Sequence, residues 1–286
     1  DPESLLKNLL MSYQSLAETG ETSGDLLKAM ARVAEPLTGE QVRSQVEQWW
    51  SLDDFPVYRA EQNDYVRLGS LYAPPESLSG LSSPPPVESQ EVSFLRKVGL
   101  AYLPPVESLQ QGQPLTTSDC KALEELIAWA WEERPAELQD SLSFFRSFPW
   151  VRDGAREIKA PVQLYLPTSE IQELIGTSPS LYPLCERPAG LWRALGIREE
   201  RDLTLTPVLQ NLQQKIERKE RVSSHFYGYL EHALQNRTLT EDFLKSSLSG
   251  LSWVWTDEGE YRPPNEVVGM PAYRYFGTYR GTWERA

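Results

Sequence analysis

Apolar residues fall at helical spacing through much of this chain, and short aromatic or β-branched runs interrupt them at regular intervals. Before residue 50, Leu26, Leu27, Met30 and Val33, then Val42, Val46 and Trp49, mark helices with one buried face. Thr117 or Ser118 is placed to cap a helix whose buried stripe is Leu123, Leu126, Ile127 and Ala130. Thr206 with Pro207 at the first helical position opens another, carrying Val208, Leu209, Leu212 and Ile216 on one side. A further helix follows Ser223-Ser224 with Phe226, Tyr229, Leu230 and Ala233, and last helices are expected around Leu138–Phe145 and Thr240–Leu248. The interrupting runs read as strand pairs: Val57-Tyr58 with Tyr65–Leu68, Trp150-Val151 with Val162–Tyr165, and Trp253–Trp255 with Tyr261. A proline-containing segment follows each pair and cannot continue a central strand, because proline has no N–H to donate.

These runs repeat. Phe55-Pro56 leads to Leu71-Tyr72-Ala73-Pro74, and Phe148-Pro149 leads to Leu164-Tyr165-Leu166-Pro167 at an offset of 93 residues. Phe94–Leu100 and Leu191–Ile197 match at an offset of 97, the small drift that a loop insertion produces. A shorter third copy starts at Leu251–Trp255 and runs through Pro263–Val267 to Gly281-Thr282-Trp283. The expected fold is α+β, with tandem units of a hairpin or small sheet followed by several helices. Residues 1–50 read as the helical tail of a preceding unit, 51–147 as a first unit, 148–251 as a second, and 252–286 as the start of a truncated third. Residues 73–91, rich in Pro and Ser, read as a long surface loop in the first unit.

Composition narrows the function classes. The 286 residues carry a net charge of −13, which opposes general attraction to a phosphate backbone. The one basic stretch, Lys215–Arg221, interleaves glutamates and reads as the solvated end of a helix. No run approaches the ~20 apolar residues of a membrane span, and no secretion signal is evident. Cys120 and Cys185 belong to no ligand pattern, so a cytoplasmic, reducing compartment is expected. Asn236-Arg237-Thr238 fits a glycosylation sequon, read as chance in that setting.

No complete catalytic motif emerges. His225 and His232, the only histidines, lie seven apart on one helix, wider than the i,i+4 spacing typical of paired ligands. Asp53-Asp54, Glu124-Glu125, Glu132-Glu133, Glu199-Glu200 and Asp257-Glu258 read as solvated faces. Neither a Walker-type nor a dinucleotide-type glycine loop is present. Trp49-Trp50, Trp129 with Trp131, and Trp253 with Trp255 suit packing between elements better than a binding surface. No catalytic, cofactor-binding or metal residue is assigned, and no cofactor is expected.

The phrases Val162–Pro167, Leu191–Arg198 and Trp253–Trp255 with Gly259-Glu260-Tyr261, Pro264 and Val267 resemble the recurring region of sacsin-like proteins. In that family an HSP90-like ATPase domain precedes a long array of hairpins and helices, and plant NO VEIN and bacterial relatives share the layout. The family's ATP-site patterns, ExxxN and DxGxG, do not occur here, so the resemblance carries over no catalytic residue. It implies a non-catalytic interaction or scaffold segment of a larger ATPase that binds clients or partners through grooves between units, or relays nucleotide state. The alternatives are a recognition module of a bacterial defence or nucleic-acid-processing complex, and an enzyme with a site between units.

Overall fold

Helix α1, Pro2–Thr19, starts where Asp1 accepts the Glu3 amide at 3.2 Å and stops at Gly20, whose φ of 72° suits a residue without a Cβ. In this computed structural model the described residues are 1–21, 23–59, 64–82, 86–87, 91–235, 248, 252–256 and 259–263, with the backbone of 268–269 and 279–280. They form an α+β chain of helices and two-stranded antiparallel sheets, in two compact units: residues 1–152 with 158–161, and 153–157 with 162–286.

In the first unit, α1 buries Leu6, Leu10 and Tyr13, one face at helical spacing. Helix α2, Gly24–Ala34, buries Leu27, Met30 and Ala34. Helix α3, Gly39–Val46, is opened by a reciprocal Thr38–Gln41 capping box. Strands β1, Pro56–Arg59, and β2, Asp64–Arg67, pair with Val57 opposite Val66. Helix α4, Val92–Val98, contributes Phe94, Leu95 and Val98 to the same core as α1–α3 and this hairpin, so the helices before residue 50 pack with the strands that follow them. Phe55 sits at the centre, stacked on Tyr13 at 5.7 Å and edge-on to Trp50 and Phe94 at 5.4 and 6.2 Å.

Helices α5, Val106–Gln111, α6, Thr117–Glu133, and α7, Pro135–Ser147, follow, then strands β3, Val151–Arg152, and β4, Ile158–Lys159. The cap of α6 is Thr116, one residue earlier than the sequence pattern suggests, because Asp119 closes a reciprocal box with it: Thr116 Oγ1 accepts the Asp119 amide at 3.1 Å and Asp119 Oδ2 accepts the Thr116 amide at 3.0 Å. Asp119 Oδ1 also accepts the amide and hydroxyl of Ser82, both at 2.6 Å. The Pro/Ser-rich segment is accordingly tied inward where it is described. Leu81 and Val87 are buried, with their amides donating to the hydroxyl and carbonyl of Tyr72 at 2.7 and 2.8 Å.

The partner of Val151–Arg152 is Ile158–Lys159, not the expected Val162–Tyr165. Pro161 and Pro167 bracket that segment, and residues 161–163 form a 3₁₀ turn instead, leaving Tyr165 a single bridge. In the second unit, the turn at 153–157 is held by Asp153, whose Oδ1 accepts the Glu157 amide at 2.8 Å, and by Gly154, whose N–H points at the carbonyls of Pro179 and Tyr182 at 2.9 and 3.0 Å. Helices α8, Ser169–Ile175, α9, Ala189–Ala194, α10, Leu205–Arg218, and α11, Ser224–Gln235, follow. Helix α10 opens two residues before the expected start, with Thr204 as N-cap. Pro207 then lies in the first turn, where amides lack intrahelical acceptors, so its missing N–H costs nothing. Asn211 of α10 donates to the carbonyls of Glu173 and Leu174 at 2.8 and 3.0 Å and closes the end of α8. The remaining pairs are β5, Val254–Trp255, with β6, Tyr261–Arg262, and β7, Val268–Gly269, with β8, Tyr279–Arg280. The expected helix at 240–248, apart from position 248, and most of the third copy beyond Pro263 lie outside the described residues.

The sequence repeat has a structural counterpart. After each of the first two hairpins a 3₁₀ turn leads to a tyrosine in a parallel bridge, Tyr72 with Ala101 and Tyr165 with Arg198, at the offsets of 93 and 97 found in the sequence. The next residue donates back to the same partner, Ala73 to the Ala101 carbonyl at 3.0 Å and Leu166 to the Arg198 carbonyl at 2.9 Å. The helix ends match as well, with the Leu100 amide on the Leu95 carbonyl at 2.8 Å and the Ile197 amide on the Trp192 carbonyl at 3.0 Å.

Candidate functional site

Three hairpins are each clipped to a preceding helix by one side chain. The Tyr13 hydroxyl donates to the Pro56 carbonyl at 2.8 Å and accepts the Tyr58 amide at 3.3 Å. The Tyr227 hydroxyl donates to the Trp253 carbonyl at 3.2 Å and accepts the Trp255 amide at 2.9 Å. Between them in the chain, Glu124 accepts the Arg152 amide at 3.3 Å and pairs with the Arg152 guanidinium at 3.1 Å. Burial pushes the Tyr227 phenol up to about 12 and the Tyr13 phenol higher still, as expected for neutral hydroxyls held inside. Glu124 corrects a sequence expectation: it is 2% exposed, and only Glu125 of that pair faces outward enough to meet Lys121 at 3.9 Å. Burial, then the neighbouring Glu124, raises the Cys120 thiol to about 11, which keeps it inert.

A cleft of about 590 Å³ lies beside the β1–β2 hairpin, lined by Asp53, Asp54, Arg67, Ser70 and Glu107 among others. The turn after β2 folds onto the residues before β1: the Leu68 amide donates to the Phe55 carbonyl and the Gly69 amide to the Asp53 carbonyl, both at 2.9 Å. A Cβ on Gly69 would stand 3.1 Å from Asp53 Cβ, so this approach suits glycine. The hydrogen bond from Ser51, then the one from Arg67, holds the Asp54 carboxyl below its ordinary range. Arg67 lies 3.4 Å from Asp54 and is thereby matched. Asp53 and Glu107 are exposed, and among the described residues neither carboxylate has an ion-pair partner. The cleft thus presents two uncompensated negative charges on a surface whose overall charge has the same sign.

The other residues singled out from sequence disperse. His225 Nε2 stands 3.5 Å from Glu200 Oε1, and His232 is exposed on the same helix. Among the described residues no group of three or more His, Cys, Asp or Glu side chains is arranged to hold a metal ion. Glu199 bridges Arg193 and Arg201 at 2.5 and 3.2 Å. Glu217–Arg221 are exposed at the end of α10, in keeping with a solvated helix end. Trp150, Trp192 and Trp253 are buried, and Trp49 and Trp50 pack against the core. Asn236–Thr238 and Asp257-Glu258 lie outside the described residues. The clip residues Tyr13 and Tyr227 were not singled out by the sequence pattern. A spacing signal exists for Tyr227 alone: it precedes Trp255 by the same 28 residues as Glu124 precedes Arg152, whereas Tyr13 precedes Tyr58 by 45.

No helix among the described residues is long and apolar enough to cross a membrane. Comparison of the chain with protein-family models, with curated proteins and with solved structures finds no match in any of the three.

Proposed function

We propose that this chain is a non-catalytic scaffold and interaction segment, and that its first unit receives an extended basic segment of a protein partner in the cleft beside β1–β2. The observation that carries the reading is the division of labour among acidic and hydroxyl groups. Tyr13, Glu124, Tyr227 and Asp119 are buried and committed to clamping hairpins and loops, whereas Asp53 and Glu107 face the 590 Å³ cleft uncompensated. A lysine or arginine brought there gains a charge-assisted contact without displacing an existing cation. The resemblance to sacsin-like proteins supplies the setting: a segment that holds a client or partner while an HSP90-related ATPase elsewhere in the protein turns over nucleotide.

Fluorescence anisotropy with a labelled, extended Lys/Arg-rich peptide and its Glu-substituted counterpart tests the cleft. The basic peptide is expected to bind, to weaken with added salt, and to lose at least about tenfold in affinity, or ~1.4 kcal/mol, in an Asp53→Asn/Glu107→Gln variant. Equal binding by wild type and variant overturns the assignment. The setting is tested by the reading frame preceding residue 1, where an HSP90-like ATPase domain is expected and an unrelated domain excludes it.

A further inference from the structure

Residues of α2 and of the start of α4 line a second cavity in the first unit, about 320 Å³ in volume, at the lower end of the roughly 300–1,000 Å³ range of small-molecule sites. Glu91 is 7% exposed and lines this cavity. It stands at the N-cap of α4, yet its side chain makes no capping hydrogen bond. Among the described residues its carboxylate has no hydrogen-bond or ion-pair partner. The residue is thus held in place by burial while its carboxylate keeps its acceptor capacity for a cationic or donor group in the cavity.

The opposite charge comes from α2. Lys28 and Arg32 are one helical turn apart and both line the cavity. Lys28 has only a loose, exposed contact with Asp25 at 3.8 Å, and Arg32 is exposed. Lys97, which also lines the cavity, is excluded as a ligand group, because its Nζ already donates to the carbonyls of Ala34, Glu35 and Leu37, each at 2.8 Å. Phe94 supplies an apolar wall. A simple cation would be repelled by Lys28 and Arg32, and a simple anion by Glu91. A molecule with both charges satisfies both sides.

We propose that this cavity binds a small zwitterion of the α-amino-acid class, its ammonium on Glu91 and its carboxylate on Arg32 and Lys28. The site is separate from the cleft beside β1–β2 and stands whether or not that cleft binds peptide. Isothermal titration of the whole chain with each of the twenty L-amino acids, and with n-butylamine and butyrate as singly charged controls, tests it. At least one amino acid is expected to bind saturably at one per chain, with both controls at least about tenfold weaker. Glu91→Gln and Arg32→Gln are each expected to weaken that binding at least about tenfold, with circular dichroism unchanged. Arg32 is exposed, so its variant remains informative even if the Glu91 variant loses structure. Absence of saturable heat for all twenty up to millimolar concentration, or binding that is unchanged in Arg32→Gln, overturns the proposal.

Discussion

The phenolic oxygen of Tyr227 receives the amide of Trp255, 28 residues further along the chain, at 2.9 Å. Glu124 receives the amide of Arg152 across the same sequence separation at 3.3 Å. The acceptor half of the role is therefore kept while the chemical group changes from a neutral phenol, which also donates to the Trp253 carbonyl, to a carboxylate that only accepts. The carboxylate brings a charge into the interior, and Arg152, whose side chain is 12% exposed, is the group that balances it.

Tyr227→Phe keeps the ring and removes the clip, leaving the Trp253 carbonyl and Trp255 amide short of one partner. A loss of about 1–3 kcal/mol is expected, read by urea denaturation followed through tryptophan fluorescence. The wild-type clip also has an alkaline signature. The folded Tyr227 value of about 12 exceeds the unfolded one, near 10 for an ordinary tyrosine. Its contribution is full below about pH 10 and is lost as pH rises toward the folded value. Stability of Tyr227→Phe should decline less steeply over that window.

Removing one member of the buried pair should hurt more than removing both. Glu124→Met strands the Arg152 charge and is expected to cost about 3–5 kcal/mol, whereas Glu124→Met with Arg152→Met recovers a large part of that loss. A double-mutant cycle measured by chemical denaturation decides this, and additive losses would contradict the pairing.

Asp119 predicts the acid behaviour of the first unit. Burial alone raises its carboxyl, but the hydrogen bonds from the side chains and amides of Ser82 and Thr116 together outweigh it and hold the group below its ordinary range. The stability it supplies is present above the unfolded value of about 3.9 and is lost as pH falls through the folded value. Asp119→Asn should cost about 1–3 kcal/mol at neutral pH, with the gap from wild type narrowing in acid, as thermal melts across pH will show.

Gly154 is a steric requirement in the second unit. A Cβ there would lie 2.8 Å from both Cβ and the carbonyl oxygen of Pro179, and the Gly154 amide hydrogen bonds depend on that close approach. Gly154→Ala is expected to lower stability by about 1–3 kcal/mol. Gly228→Ala, where the added methyl meets nothing within 4 Å, serves as the control in the same melt.

Much of the architecture was legible because its causes are local. The stripe Leu123, Leu126, Ile127 and Ala130 is buried on α6 as its spacing implies, and the repeated Leu-Tyr-x-Pro phrases occupy equivalent bridges. The chain departs from its hydrophobic pattern for one local and one distant reason. Prolines at 161 and 167 left the Val162–Tyr165 run without a ladder, and Glu124 read as a surface acid because its partner lies 28 residues away. The cleft was not legible either, since Asp53 and Glu107 line it only once the turn after β2 lies against Asp53 on one side and α5 on the other, where the Ser108 hydroxyl donates to the Ser70 carbonyl at 3.5 Å.

The sequence by itself determined the α+β alternation and the spacing of the copies, since helical stripes, caps and hairpin-forming runs are properties of neighbouring residues. Tertiary structure alone decided which polar groups are buried and which remain free. A side chain's solvation depends on residues brought to it from elsewhere in the chain. That is why Tyr13 and Glu124 act as internal clips, while the carboxylates of Asp53, Glu107 and Glu91 line clefts without an ion-pair partner among the described residues.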